Sequence, residues 1–142
     1  MVPAPGWTGE YEWEEYIPFD ELPTLFNPEQ GYIVTANHAV VDEEYPYFIA
    51  RDWASGDRGQ RITDMIEQAI AEGPIDADDF ARIQSDSYSL RAESYVPLLA
   101  GLSSDDAAVQ QALDILGQWD YQERRDSVGA SLFEIFYMHL TY

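Results

Sequence analysis

Apolar positions change their period partway along the chain. From residue 57 they recur at helical spacing. Ile62, Met65, Ile66, Ala69 and Ile70 fall at i, i+3, i+4, i+7 and i+8, one continuous stripe. Gly73-Pro74 ends it, since proline cannot donate to the helix ladder. A second helix starts near Asp76, carries a break near Ser87, and turns Phe80, Ile83, Leu90, Leu98 and Leu99 inward. A third starts behind Ser103 or Ser104, with Asp105 and Asp106 in its first turn. Its apolar face is Val109, Ala112, Leu113, Leu116 and Trp119. A fourth opens at Asp126 or Ser127 and shows Leu132, Phe133, Phe136, Tyr137 and Leu140.

Before residue 57 the pattern is that of strands and loops. Tyr11 and Trp13 alternate with Glu10, Glu12 and Glu14, which puts the aromatics on one strand face and the acids on the other. Pro18 and Pro23 each remove an amide donor, so their segment reads as a connection. Asn27-Pro28-Glu29-Gln30-Gly31 is a turn signal. Tyr32 to Ala36 is β-branched and apolar on both faces, the pattern of a strand covered on both sides. The fold class expected is α+β, with a few N-terminal strands followed by a mainly helical segment. Residues 1–56 form the strand and loop part, and residues 57–142 form a helical part packed on it. Two or three strands cannot close a sheet, and open edges invite pairing. Their natural partners are therefore expected in a longer chain or in a second copy, as a homodimer. Met1-Val-Pro-Ala-Pro-Gly6 reads as an entry into the middle of a longer protein.

Composition narrows the classes. A chain of 142 residues suits one domain, and 46% hydrophobic with 14% aromatic residues argues against disorder. The formal charge is −20, and all seven cations are arginine. Phosphate binding needs clustered cations, so neither nucleic acid nor a polyanionic membrane is an expected partner. No apolar run approaches the roughly 18 residues that span a bilayer, and no signal-peptide pattern opens the chain. The absence of cysteine excludes disulfides, cysteine-based zinc sites and thiol nucleophiles. Asp76-Ala77-Asp78-Asp79 begins like a calcium loop but lacks the glycine at the sixth position and the glutamate at the twelfth. It reads better as a helix N-terminus, where carboxylates meet the positive end of the dipole.

Candidate chemistry is sparse. No serine sits in a Gly-x-Ser-x-Gly elbow, and without lysine a Ser–Lys pair is impossible. His139, on the last helix, reads as structural or solvent-exposed, and His38 lacks a placed partner. Asn37 is set apart by following an apolar run. A carboxamide held there can donate to a developing oxyanion, or it can simply bond a neighbouring turn. Arg61 can hold such an amide in place, or it can pair with Asp57 or Asp64 on its own helix.

Several runs act together. They are Gly6-Trp7-Thr8-Gly9-Glu10-Tyr11-Glu12-Trp13, Tyr16-Ile17-Pro18-Phe19-Asp20-Glu21-Leu22-Pro23, Asn27-Pro28, Gly31-Tyr32-Ile33-Val34-Thr35-Ala36-Asn37, Tyr45-Pro46, Arg61-Ile62 and the stretch Ile83-Gln84 to Leu90. Their joint spacing resembles the penicillin acylase (penicillin amidase) family, and the likeness covers most of the chain. That resemblance implies an N-terminal-nucleophile hydrolase with a four-layer αββα sandwich, of which this chain is an internal piece of the large subunit. It implies cleavage of an acyl group from an amine by an N-terminal serine whose own α-amine is the base, so no histidine is needed. By the same resemblance Asn37 is the oxyanion-hole residue and Arg61 the residue that orients it. The nucleophile and the second oxyanion donor have no match here, so the isolated piece is expected to be inactive. The partners implied are the small subunit, the rest of the large subunit and a small-molecule acyl amide. Family members often hold structural Ca²⁺, but the ligand position near Phe48 or Ile49 carries no carboxylate, and no cofactor is expected. A periplasmic or extracellular location is implied. The other reading is a non-catalytic helical interaction module with an acylase-like sequence, which the upstream reading frame distinguishes.

Overall fold

The computed structural model describes residues 3–12 and 14–141. Among the described residues five helices form in order: α1 (Asp57–Glu72), α2 (Ala77–Ser85), α3 (Leu90–Ala100), α4 (Ala107–Gly117) and α5 (Val128–Thr141). A 3₁₀ turn at Phe19–Glu21 precedes them. The ends follow the chemistry of the chain. Gly73 closes α1 with its amide donating to the Ala69 carbonyl at 3.1 Å. Asp76 Oδ1 accepts from the amides of Asp78 and Asp79 at 2.8 and 3.2 Å, and Asp79 Oδ2 accepts from the Asp76 amide at 2.8 Å. This reciprocal capping box is what the aspartate-rich run builds. Asp106, rather than Ser103 or Ser104, caps α4, because its carboxylate reaches two first-turn amides. Ser127 Oγ accepts from the Ala130 amide at the start of α5.

The expected α+β class, with its N-terminal strands as part of an αββα sandwich, is corrected by the structure. Among the described residues there is no β-strand. Pairing is limited to one isolated antiparallel bridge, Tyr88 with Gln122. The reason is that a strand exists only against a ladder partner, which local sequence does not supply. The run Tyr32 to Ala36 finds none. Gly31 at φ 80° and Asn37 at φ 62° turn the chain at both ends of it, and Ile33 is 53% exposed. Open strand edges therefore give no ground for a homodimer. Trp13, half of the aromatic face expected for residues 9–16, lies outside the described residues, and its companion Tyr11 is exposed.

Two compact units result. One comprises residues 1–33 and 39–52, the other residues 34–38 and 53–142. In the first, Glu21 gathers two tyrosines: its carbonyl accepts from Tyr45 Oη at 2.8 Å and its carboxylate from Tyr47 Oη at 2.6 Å. The carboxylate beside it pushes the Tyr47 hydroxyl above its ordinary pKa. In the second, α1 packs on α2 and α3, α3 on α4, and α4 on α5. Ala92, Val96, Leu116 and Phe133 form its core, bordered by Tyr95, Leu99, Trp119, Leu132, Phe136 and Tyr137. Gly129 lets α5 meet the Trp119 ring, whose Cγ would overlap any Cβ at that position. Phe80, Leu98 and Val109 are exposed instead of buried, at the edges of their stripes.

Candidate functional site

Residues 34–38 belong to the helical unit although the segments on either side of them do not. Ala36 is buried, and Asn37 takes a left-handed backbone with φ 62°. Asparagine enters that region more readily than most residues, because its short polar side chain can bond locally. The Asn37 carbonyl accepts from the Ala54 amide at 2.8 Å. Arg58, in the first turn of α1, reaches back with Nη2 and donates to the Ala36 carbonyl at 2.8 Å and to Asn37 Oδ1 at 2.7 Å. A guanidinium has donors and no acceptor. It therefore fixes which end of the carboxamide faces it, and Nδ2 with its two N–H groups is turned away. Asn37 is solvent-exposed, and its Nδ2 makes no hydrogen bond among the described residues.

His38 follows and lies on the same helix turn. Gly59 is buried beneath the imidazole; a Cβ there would sit 2.7 Å from both Cε1 and Nδ1 of His38. His38 Nδ1 is buried and has no hydrogen-bond partner among the described residues.

Arg61, one turn along, bonds elsewhere than Asn37. Its Nε and Nη2 donate to Asp86 Oδ2 and Oδ1, each at 2.8 Å, and its guanidinium lies 4.7 Å from the centre of the Tyr88 ring. The fork holds the Asp86 carboxyl below its ordinary range and the Arg61 guanidinium above its own. Of the two site residues picked out in the sequence, the structure thus gives Asn37 an arginine partner, and that partner is Arg58. Arg58 and Arg61 lie three apart on one helix, so spacing alone does not choose between them. The choice depends on where residues 53–56 deliver the start of α1.

A third arginine completes this face. Arg91 on α3 donates through Nε to Asp57 Oδ2 at 3.2 Å and through Nη2 to Ser55 Oγ at 2.9 Å, and it covers the Tyr137 ring at 4.4 Å. A cavity of about 620 Å³ opens between these groups, lined by Arg58, Arg61, Tyr88, Arg91, Glu123 and Glu134 among others. Partial desolvation there, together with Glu123 beside it, pushes the Glu134 carboxyl up. His139 is exposed on α5. No group of three or more histidine, aspartate and glutamate side chains could hold a metal ion among the described residues, and no helix among them is long and apolar enough to cross a membrane.

Comparison with known proteins identifies the class. The penicillin amidase family model matches residues 1–142, and the chain belongs to that family. It is 32% identical to the penicillin acylase 2 proenzyme of Pseudomonas sp. (strain SE83) over 141 residues, which are 99% of this chain and 18% of that protein. To an acyl-homoserine lactone acylase of Pseudomonas aeruginosa, QuiP, it is 33% identical over 90 residues, 63% of this chain and 10% of the relative. To the penicillin G acylase of Escherichia coli it is 30% identical over 125 residues, 84% of this chain and 14% of the relative. The chain thus spans less than a fifth of the length of these relatives.

Proposed function

We propose that this chain is part of an acylase that hydrolyses the amide bond between an acyl group and an amine, and that Asn37 Nδ2 donates to the oxyanion of the tetrahedral intermediate. The observation that carries this reading is the Arg58 bond to Asn37 Oδ1, 2.7 Å long, which leaves the donor end of the carboxamide free. Family membership supplies the reaction class. A preorganised donor aimed at developing charge lowers the barrier without reorganising during the reaction. The nucleophile is an N-terminal serine supplied by another part of the enzyme, with its own α-amine as base. Its Oγ gives its proton to the α-amine through water and attacks the carbonyl carbon, forming the tetrahedral intermediate; collapse breaks the C–N bond, the amine leaves with that proton, and water hydrolyses the resulting acyl-enzyme to the acid and free serine. Arg61 orients Asn37 at one remove: its fork to Asp86 fixes α1, the helix that delivers Arg58. The remainder of the parent enzyme is the physical partner, and a periplasmic or extracellular site follows from the family. No cofactor takes part.

The test is Asn37→Ala in the complete enzyme that carries this segment. The kcat for an acyl-amide chromogenic substrate is expected to fall about 10²–10³-fold, the usual cost of one oxyanion donor, while KM stays close to wild type. An unchanged kcat rejects the assignment. The 142-residue chain alone is expected to give no turnover; hydrolysis above background by the purified chain would show that the nucleophile lies within it.

A further inference from the structure

We propose that Gly59 is a positioning residue for Asn37, acting as a flat seat for the His38 imidazole. This rests on the oxyanion reading of Asn37 and adds the device that keeps its carboxamide aimed.

Glycine inside a helix costs about 1 kcal/mol relative to alanine. It is retained either for a backbone conformation that only glycine adopts readily or for the space a side chain would fill. Gly59 lies within α1 and is not among the positive-φ glycines, so conformation does not require it. Space does. A methyl at this position would lie 2.7 Å from two ring atoms of His38, well inside van der Waals contact. At Nδ1 the ring is buried and makes no hydrogen bond among the described residues. No bond at that atom would keep the imidazole in place once the seat is filled.

The consequence reaches Asn37 through one peptide unit. A non-glycine residue in the left-handed region stores strain and persists only where its surroundings hold it there. Arg58 and the chain just before α1 hold residues 36 and 37: Arg58 grips the Ala36 carbonyl and Asn37 Oδ1, and Ala54 donates to the Asn37 carbonyl. Gly59 leaves the room that His38 takes up when these bonds form. Displacing the ring rotates the backbone at the Asn37–His38 junction, lets Asn37 leave φ 62°, and swings Nδ2 off its line.

Two measurements test this. In the 142-residue chain, the Asn37 side-chain NH₂ resonances are followed by ¹⁵N–¹H spectroscopy and assigned by their loss in Asn37→Asp. Gly59→Ala is expected to shift that pair toward free carboxamide positions, with helical circular dichroism retained. Gly59→Ala combined with His38→Ala is expected to return it, because removing the ring makes room for the methyl. In the complete enzyme, Gly59→Ala is expected to lower kcat about tenfold to a hundredfold, the scale of an ångström-sized misplacement. KM should stay near wild type, and the double variant should recover most of the loss. A purely structural role for Gly59 would lower the melting temperature without this kcat-specific loss and its rescue. The proposal is overturned if Gly59→Ala leaves the resonances in place, or if its loss of kcat persists in the double variant. If instead Asn37→Ala itself leaves kcat intact, the oxyanion reading falls, and the resonance experiment still decides whether His38 needs its seat.

Discussion

Which end of the Asn37 carboxamide is free depends on a neighbour that can only donate. On the oxyanion reading proposed for Asn37, Arg58→Met is expected to cost the complete enzyme more kcat than Arg61→Met, since Arg58 bonds the carboxamide directly and Arg61 bonds Asp86. Arg58 to Lys should recover part of the loss, because a single ammonium cannot reproduce guanidinium geometry. The Arg61–Asp86 pair predicts a pH effect of definite sign. The Asp86 carboxyl lies below its ordinary value because Arg61 forks it. Its stabilisation is present above the ordinary aspartate value near 4 and is lost as the pH falls through the depressed folded value. Thermal unfolding of Arg61→Met should show a flatter acid limb below about pH 4 than the wild-type chain. Glu134 has the opposite sign. Its raised carboxyl contributes stability at low pH that is lost as the pH rises, so Glu134→Gln should raise the neutral-pH melting temperature and leave the acid end alone. A lowered neutral-pH value in that variant counts against the desolvated-pair account. At this scale the sequence marked Asn37 because a polar amide followed an apolar run. It could not rank Arg58 over Arg61, because both share one face of α1 and only the chain path before Asp57 separates them.

Helices were legible because their signals are local. The stripe Ile62, Met65, Ile66 and Ala69, the Gly73-Pro74 stop and the aspartates from Asp76 onward all act within one or two turns. Ile66 and Ala69 are indeed buried, while Ile70 at the edge of the stripe is 48% exposed. Strands were misread for the complementary reason. The residue types of Tyr32 to Ala36 suit a pleated surface, but ladder partners are a property of distant chain, and the described residues offer none. The helical packing makes its own predictions. Phe133 is fully buried at the centre of the core, so Phe133→Ala should destabilise the helical unit by about 3–5 kcal/mol in denaturant titration. Gly129→Ala drives a methyl into the Trp119 ring and should cost about 1–3 kcal/mol, the range for overpacking. A neutral Gly129→Ala would mean that α5 and Trp119 separate more easily than their contact implies.

Across the whole chain, 27 acidic residues face seven arginines. Among the described residues Arg61, Arg82, Arg91 and Arg124 pair with carboxylates, and the excess of acidic over basic residues leaves a large negative charge. Self-repulsion of that size opposes compaction, and salt screens it over a Debye length of about 10 Å at 0.1 M. The melting temperature should accordingly rise between low and moderate ionic strength; a fall would place the dominant electrostatics in the ion pairs instead. The all-arginine basic set has one more outcome, readable with a protease. Trypsin has no lysine to cut here. Arg58, Arg61, Arg82 and Arg91 lie inside helices, which must unwind locally before a peptide bond can enter an enzyme cleft. Arg51 is exposed in non-helical chain, and Arg124 and Arg125 are exposed in the turn before α5. Brief digestion should therefore nick first at those three positions; scission after Arg51 alone gives a covalent piece that begins at Asp52 and carries α1 to α5.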